Sequence, residues 1–218
     1  MNILLIIIAC LLGLLLLSQI IFRIMVKVFH RSPPVPSFTG PILDSSLRTL
    51  IQPPKQILKR SGLKKSMKVL DLGCGSGIFT IYAARTVGDK GTVYALDIQP
   101  EMLNQLKVKL NSCSNGEYNI VIPIKGDASN IPIESSSLDL VYIISTLQEI
   151  SERQKALDEV KRVLKPGGIL AVSETAVDID YFLKSTVMKI CREAGFILDS
   201  VSGNFLSYTV RFINRKPD

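Results

Sequence analysis

The stretch from Lys68 to Gly77 constrains the fold of this chain more than any other part of its sequence. It begins with an apolar run of the kind that forms a buried parallel strand. Three glycines follow at alternate positions, Gly73, Gly75 and Gly77, and the residues from Ile78 to Arg85 are typical of a helix. Strand, glycine turn and helix together predict the entry to a βαβ unit, with a ligand close to the backbone amides of the helix start.

The order of acid and glycines distinguishes two kinds of ligand. The dinucleotide fingerprint G-x-G-x-x-G would place its third glycine at position 78, where this chain has Ile78. Here Asp71 precedes the glycines in the pattern Asp-x-Gly-x-Gly-x-Gly, which resembles motif I of the class I S-adenosylmethionine (SAM)-dependent methyltransferases. That resemblance implies a loop that packs against the methionine moiety and the ribose of SAM. A nucleotide-dependent oxidoreductase is the less favoured alternative.

A regular alternation of strand and helix patterns continues to the C-terminus. Strands are predicted at Val69–Leu72, Thr92–Leu96, Ile120–Ile124, Leu138–Ile144, Ile169–Ser173, Phe196–Val201 and Phe205–Ile213, and helices at Ile78–Val87, Pro100–Ser112, Ser151–Leu164 and Tyr181–Ala194. This alternation predicts an α/β fold with a doubly wound, mostly parallel sheet. Only Ser202, Gly203 and Asn204 join the last two strands, which must therefore be antiparallel because no crossover helix fits there.

Further motifs follow the glycine loop in the order that the methyltransferase family has them. They are Ala95–Leu103, Gly126–Ala128, Ser137–Val141 and Leu164–Gly168. The string resembles the methyltransferases of the quinone-biosynthesis type and their small-molecule relatives, and it covers about Lys64 to Asn214. The resemblance implies a Rossmann-like fold with a C-terminal antiparallel strand pair and SAM as the cofactor, but it does not specify the methyl acceptor.

The resemblance also implies which side chains hold SAM. Asp97, at the end of the second strand, would accept hydrogen bonds from both ribose hydroxyls, or else cap the next helix. Ile98 and Met102 would pack on the adenine, although Met102 suits the core equally well. Asp127 and the Ala128 amide would bind the adenine amino group, unless Asp127 only stabilises a turn. The complete predicted cofactor set is Asp71, Gly73, Cys74, Gly75, Gly77, Asp97, Ile98, Met102, Asp127, Ala128 and Ser145.

The chemistry asks little of the protein beyond positioning, because the methyl group of SAM is already activated. Glu149, after the fourth strand, is the predicted general base, with the alternative that it only favours a helix N-terminus. Other candidates at the same edge of the sheet are Ser145, Thr146, Gln148 and Glu174. The four cysteines and the single histidine, His30, show no metal-ligand spacing, and no metal is expected.

The N-terminal region, residues 1–31, is predicted to be a membrane anchor with a basic flank. Ile3–Phe22 is almost entirely apolar, and twenty helical residues at about 1.5 Å each span the hydrocarbon core of a bilayer. A cleaved signal peptide would carry a cation ahead of the apolar run, and this chain has none there. Arg23, Lys27 and Arg31 instead follow the run. By the positive-inside rule, the sequence predicts one transmembrane helix with the catalytic domain in the cytoplasm.

Residues 32–66 are predicted to link this anchor to a methyltransferase domain at residues 67–218. A proline-rich stretch is followed by two short helices, at Asp44–Leu50 and Lys55–Ser61, that mix aliphatic and basic residues. They are predicted either to lie on anionic lipid as a lid over the active site or to pack as solvated helices at the domain edge. The connection from Glu174 to Asp180 is too short for a lid, which must therefore come from residues 32–66, from a partner or from the membrane surface. We therefore expect a lipophilic acceptor, quinone-like or lipid, that is reached from the bilayer.

The distribution of charge argues against a nucleic-acid partner. The formal net charge is +7, but ten Lys/Arg and only one acid fall between Arg23 and Lys68. The remainder is slightly acidic, so the predicted domain carries no basic face of the kind that nucleic acids require. A SAM-binding sensor or scaffold that has lost catalysis is the alternative function, because its glycine loop would have the same sequence.

Overall fold

The computed structural model describes residues 6–15, 17–18, 21, 36–37, 46–112, 118–176, 178 and 180–215. The strands are β1 Lys68–Leu72, β2 Thr92–Asp97, β3 Val121–Lys125, β4 Leu138–Ile144, β5 Leu164–Thr175, β6 Ile197–Gly203 and β7 Ser207–Ile213. The helices from residue 46 onward are α1 Ser46–Ile51, α2 Pro54–Arg60, α3 Ile78–Val87, α4 Pro100–Asn111, α5 Arg153–Val163 and α6 Lys184–Glu193. Residues 6–15 are also helical.

The seven strands form one sheet in the order β3-β2-β1-β4-β5-β7-β6. Strands β1 to β5 pair in parallel, while β7 runs antiparallel to both β5 and β6. The predicted Rossmann-like sheet and its antiparallel C-terminal pair are therefore confirmed. Strand order reverses between β1 and β4, and ligands of open α/β sheets bind beyond the carboxyl ends of strands at such a point.

Helices cover both faces of the sheet because neighbouring strand residues point to opposite sides. On one face Val69 packs with apolar side chains of α2, α3 and α4, and on the other Leu70 packs with those of α5 and α6. Helix α2 belongs to the first of these layers, since its Ile57 and Leu58 are completely buried. At least the second half of the predicted lid segment is therefore fixed to the methyltransferase domain.

Some helix and strand ends differ from their sequence predictions for local reasons. Helix α5 begins at Arg153, two residues later than predicted, and its N-cap Glu152 makes no side-chain capping bond. Helix α6 begins only at Lys184 because Leu183 is extended. Strand β5 begins at Leu164, five residues early, since that residue already pairs with β4 ahead of a shift in register.

The predicted transmembrane helix over Ile3–Phe22 is not supported by the structure. Among the residues described, none belongs to a helix long and apolar enough to cross a membrane. A helical run covers residues 6–15. Its large apolar side chains, such as Leu11 and Leu14, are exposed. The basic flank from Arg23 to Arg31 lies outside the described residues.

Candidate cofactor and active site

The three glycines of the loop after β1 adopt left-handed backbone conformations, with φ of 79° at Gly73, 52° at Gly75 and 87° at Gly77. A Cβ atom on Gly73 would lie 2.2 Å from Thr146 Cγ2, and one on Gly77 would lie 2.3 Å from Leu106 Cδ1. A Cβ on Gly75 would meet no atom within 4 Å. Gly73 and Gly77 thus allow the loop to pack on the protein, whereas Gly75 faces open space.

Asp97 at the end of β2 is held directly against this loop. Its Oδ2 accepts a hydrogen bond of 2.8 Å from the Gly75 amide, and its Oδ1 accepts one of 2.9 Å from the Gln99 amide. Burial raises the pKa of the Asp97 carboxyl, and the two amides partly oppose that rise. A carboxylate offers about four lone-pair sites, so Asp97 keeps acceptor capacity for a ligand next to Gly75.

Asp71 lies beneath the loop and is buried. Its Oδ2 accepts a 2.7 Å hydrogen bond from the Thr80 hydroxyl, which ties the end of β1 to the first turn of α3. Burial raises the pKa of Asp71 to about 7, against the opposing effect of that hydrogen bond. The side chain therefore orients the loop, while its predicted contact with SAM stays a prediction.

Burial of one side chain and one hydrogen bond from α4 also hold the loop in place. The Cys74 side chain is buried, and burial raises the pKa of its thiol well above the usual value. The Nζ of Lys109 on α4 donates a 2.7 Å hydrogen bond to the Ser76 carbonyl oxygen. Sequence reasoning missed this lysine because a partner thirty-three residues away has no local signature.

The residues predicted to bind adenine have different surroundings. Ile98 is 51% exposed beside Asp97, whereas Met102 is buried, as its core-filling alternative requires. Asp127 is exposed, and its Oδ1 accepts hydrogen bonds of 2.8 Å from both the amide and the hydroxyl of Ser129. Asp127 therefore stabilises a turn, which is the alternative to adenine binding. Its Oδ2 atom takes no part in these two hydrogen bonds and can still accept one from a ligand.

A side chain from the predicted lid segment reaches the carboxyl ends of β4 and β5. Gln52, between α1 and α2, is buried, and its Nε2 donates hydrogen bonds to Ser145 Oγ at 2.9 Å and Thr175 Oγ1 at 2.6 Å. Ser145 has a φ of 53°, which is rare for a residue with a side chain and is typical of functional sites. The sequence does not identify Gln52, since the two hydroxyls lie 93 and 123 residues away.

Acidic residues gather beside this bridge. Glu174 near the end of β5 is completely buried, and burial raises the pKa of its carboxyl well above the usual value, with the charges of Asp178 and Asp180 adding to the effect. Glu149, the predicted base, is partly buried and lies close enough to raise the Glu174 pKa slightly further. Arg153 stabilises the turn between β4 and α5, because it donates hydrogen bonds to the backbone oxygens of residues 147 and 148.

These features fit the cofactor that the glycine motif implies. The open space at Gly75 leaves room for a ligand against the backbone, and the amides at the start of α3 favour its electron-rich groups. Asp97 offers acceptors for ribose hydroxyls, and Ile98 offers an exposed apolar surface beside them. Fold and site together define a Rossmann-like α/β protein with a nucleoside-binding edge.

Comparison with known proteins identifies the family. A family model described as a methyltransferase domain matches residues 70–172. The crystal structure of a SAM-dependent methyltransferase from Aquifex aeolicus superposes with a TM-score of 0.75 at 30% identity, over 82% of this chain and 98% of that one. The chain belongs to the SAM-dependent methyltransferases, and the prediction of SAM as its cofactor is confirmed.

Other relatives suggest how widely the substrates of this fold vary. Demethylmenaquinone methyltransferase from Staphylococcus aureus (strain MRSA252) is 38% identical over 122 residues, which are 56% of this chain and 48% of that protein. The chain thus spans about half the length of the curated relatives it matches. The [4+2]-cyclase SpnF has the same fold, with a TM-score of 0.62 at 24% identity over 71% of this chain and 61% of that one. Fold alone therefore does not define the reaction.

Proposed function

We propose that this protein transfers a methyl group from SAM to a small, lipophilic acceptor of the quinone or lipid class. The observation that carries the methyl-transfer part is the open position at Gly75, bordered by the amide-bound carboxylate of Asp97, in a chain of this family. The acceptor class is supported by the likeness to demethylmenaquinone methyltransferases and by the apolar surroundings of the acceptor side.

The residues of the site have distinct roles in this proposal. When bound, SAM supplies a methyl group on a positively charged sulfur that leaves readily. Asp97 and the loop at Gly75 hold the nucleoside, while Gln52, Ser145 and Thr175 close the opposite side and exclude water. Glu149 takes up the proton that the acceptor loses when the new bond to carbon or oxygen forms.

A lipophilic acceptor agrees with the apolar residues around the acceptor side. Leu50 and Ile51 of α1 and Phe205 and Leu206 of the β6–β7 turn are all exposed, and they lie close to the carboxyl end of β5. The helical residues 6–15 add a second exposed apolar surface. We propose that these surfaces associate with a bilayer that holds the acceptor, with α1 and α2 as the lid.

The test is methyl transfer from radiolabelled SAM into a membrane extract by the full chain, with Asp97→Ala as the matched variant. Label that enters the lipid fraction, and is lost in the variant, is the expected result. Label in soluble small molecules or in protein would contradict the lipophilic acceptor but would still show methyltransferase activity. Tight SAM binding without label in any fraction would favour the sensor or scaffold instead.

A further inference from the structure

A groove of about 440 Å³ lies between the predicted lid and the turn that joins β6 to β7. It is lined by Leu50, Ile51, Pro53, Gln56, Arg60, Ala176, Asn204, Leu206 and Ser207. A volume of this size falls in the range of small-molecule sites.

The groove lies next to the hydrogen-bond bridge that Gln52 makes between the ends of β4 and β5. Ile51 and Pro53 line it, and the residue between them, Gln52, bridges the ends of β4 and β5. Ala176 also lines the groove, and it directly follows Thr175, which accepts one of the two Gln52 hydrogen bonds. A ligand in the groove would therefore lie beside the carboxyl ends of β4 and β5, where ligands of open α/β sheets bind.

Hydrogen bonds fix the shape of the groove walls. The Ala176 amide donates a 2.8 Å hydrogen bond to the Leu206 carbonyl oxygen, which joins the end of β5 to the turn. Asn204 Oδ1 accepts hydrogen bonds from the amides of Leu206 and Ser207 at 2.9 and 3.1 Å, so the turn keeps its shape. The side chain of Leu206 is left 54% exposed at the groove instead of entering the core.

The chemistry of the lining selects the kind of occupant. Among its described residues the only charged side chain is that of Arg60, whose Nη1 donates to the Ser207 carbonyl oxygen at 3.5 Å, and no acid takes part. A cationic ligand would meet no opposite charge there, whereas an apolar chain would bury Leu50, Ile51 and Leu206. Arg60 at the rim complements a neutral or electron-rich head group.

We propose that this groove binds the apolar chain of the methyl acceptor, with the acceptor's head group held beyond Gln52 at the ends of β4 and β5. The inference rests on the proposed function, because it names the part of that acceptor which the protein recognises. It makes Leu50, Ile51 and Leu206 specificity residues for acceptors that carry an isoprenoid or alkyl chain.

The test is photo-crosslinking of the full chain with 1,4-dihydroxynaphthalene that carries an alkyl chain ending in a diazirine, followed by peptide mapping. We expect label on the segments around Ile51 and Leu206. Leu206→Asn and Ile51→Asn should each lower this label about tenfold, because the lost burial of one aliphatic side chain is of the order of 1.5 kcal/mol. Val108→Asn, at an exposed position on α4, is the control and should leave the label unchanged.

Two readouts separate this inference from the proposed function. Binding of SAM to each variant shows that it is folded, since none of the three positions contacts the glycine loop. Label on residues 1–22 or elsewhere, or full label in both groove variants, would overturn the inference even if methyl transfer into lipid is observed. Label in the groove without methyl transfer into any extract would support binding of an apolar chain in the groove and contradict the proposed methyl transfer.

Discussion

Residues that look alike in the sequence have different surroundings in the glycine loop. Gly73 and Gly77 pack too closely against Thr146 and Leu106 to carry a side chain. Gly75 has open space beside it and is favoured only by its left-handed backbone conformation. The alternating pattern shows that the chain turns here, but it does not show which glycine faces a ligand. That distinction leads to a prediction for each type.

Gly73→Ala should lower the free energy of unfolding by about 2 kcal/mol or more, because the new Cβ overlaps a β-branched side chain. Gly75→Ala should cost only about 1 kcal/mol, from the left-handed conformation, but should weaken SAM binding at least about tenfold. Urea unfolding and calorimetric titration measure the two effects. A Gly75→Ala protein that binds SAM as the wild type does would show that the ligand lies elsewhere.

The buried carboxyl of Asp71 should make stability depend on pH. Its pKa is raised from 3.8 to about 7, so the native state keeps a proton that the unfolded chain has released between these values. The free energy of unfolding therefore falls as pH rises through that window, by an amount of the order of 4 kcal/mol, and is level above it. In Asp71→Asn this contribution should be absent. Parallel urea titrations at pH 4 and pH 7 would contradict the account if both proteins lost equal stability.

At the scale of whole elements, we propose that the segment that contains α1 and α2 completes the active site. The second helix buries Ile57 and Leu58 against the sheet, and the residue that links the two helices, Gln52, spans the ends of β4 and β5. The same segment thus adds to the core and reaches the edge of the proposed site. In the proposed arrangement its loss should affect the acceptor more than the cofactor, which would lie at the ends of β1 and β2.

Gln52→Ala should lower the free energy of unfolding by about 1–3 kcal/mol, since Ser145 and Thr175 lose a buried hydrogen-bond donor. Methyl transfer into a membrane extract should fall by about tenfold or more, while SAM affinity changes little. Gln154→Ala is the matched control, because that side chain bonds only Asp158 on an exposed helix face. Equal effects of the two variants on methyl transfer would remove Gln52 from the site.

Much of this architecture could be predicted from local patterns. The apolar runs and glycine turns predict all seven strands, and three residues between the last two strands predict their antiparallel pairing. Contacts between distant positions could not be predicted in this way. The Gln52 bridge and the Lys109 contact to the loop depend on which elements the fold brings together. The predicted start of α5 at Ser151 is two residues early because the backbone at Glu152 is not helical, with φ of −100° and ψ of 58°.

At the scale of the whole molecule, two exposed apolar surfaces support the proposal of a lipophilic acceptor. One is the rim of the groove, where Leu50 is 78% and Phe205 is 72% exposed, and the other is the helical run at residues 6–15. Basic residues are abundant in the segment that carries Leu50, with seven Lys/Arg and no acid in residues 46–68. Apolar and basic side chains in succession favour attachment to an anionic bilayer.

Charges placed in the N-terminal helical run should release the full chain from lipid. We expect the double variant Leu11→Asp and Leu14→Asp to lower the fraction that floats with anionic vesicles, because both side chains are exposed and apolar in the wild type. Its affinity for SAM should be unchanged, and Val108→Asp serves as the control on α4. Equal flotation of the double variant and the wild type would contradict a role for this run in membrane association.

The central claim is that the edge beyond β1 and β2 binds SAM, and calorimetric titration with SAM and with NAD tests it most directly. The account predicts that the wild type binds SAM at one site, that NAD does not compete, and that Asp97→Ala loses most of the affinity while remaining folded. Preferential binding of NAD, or SAM binding that Asp97→Ala leaves intact, would contradict it.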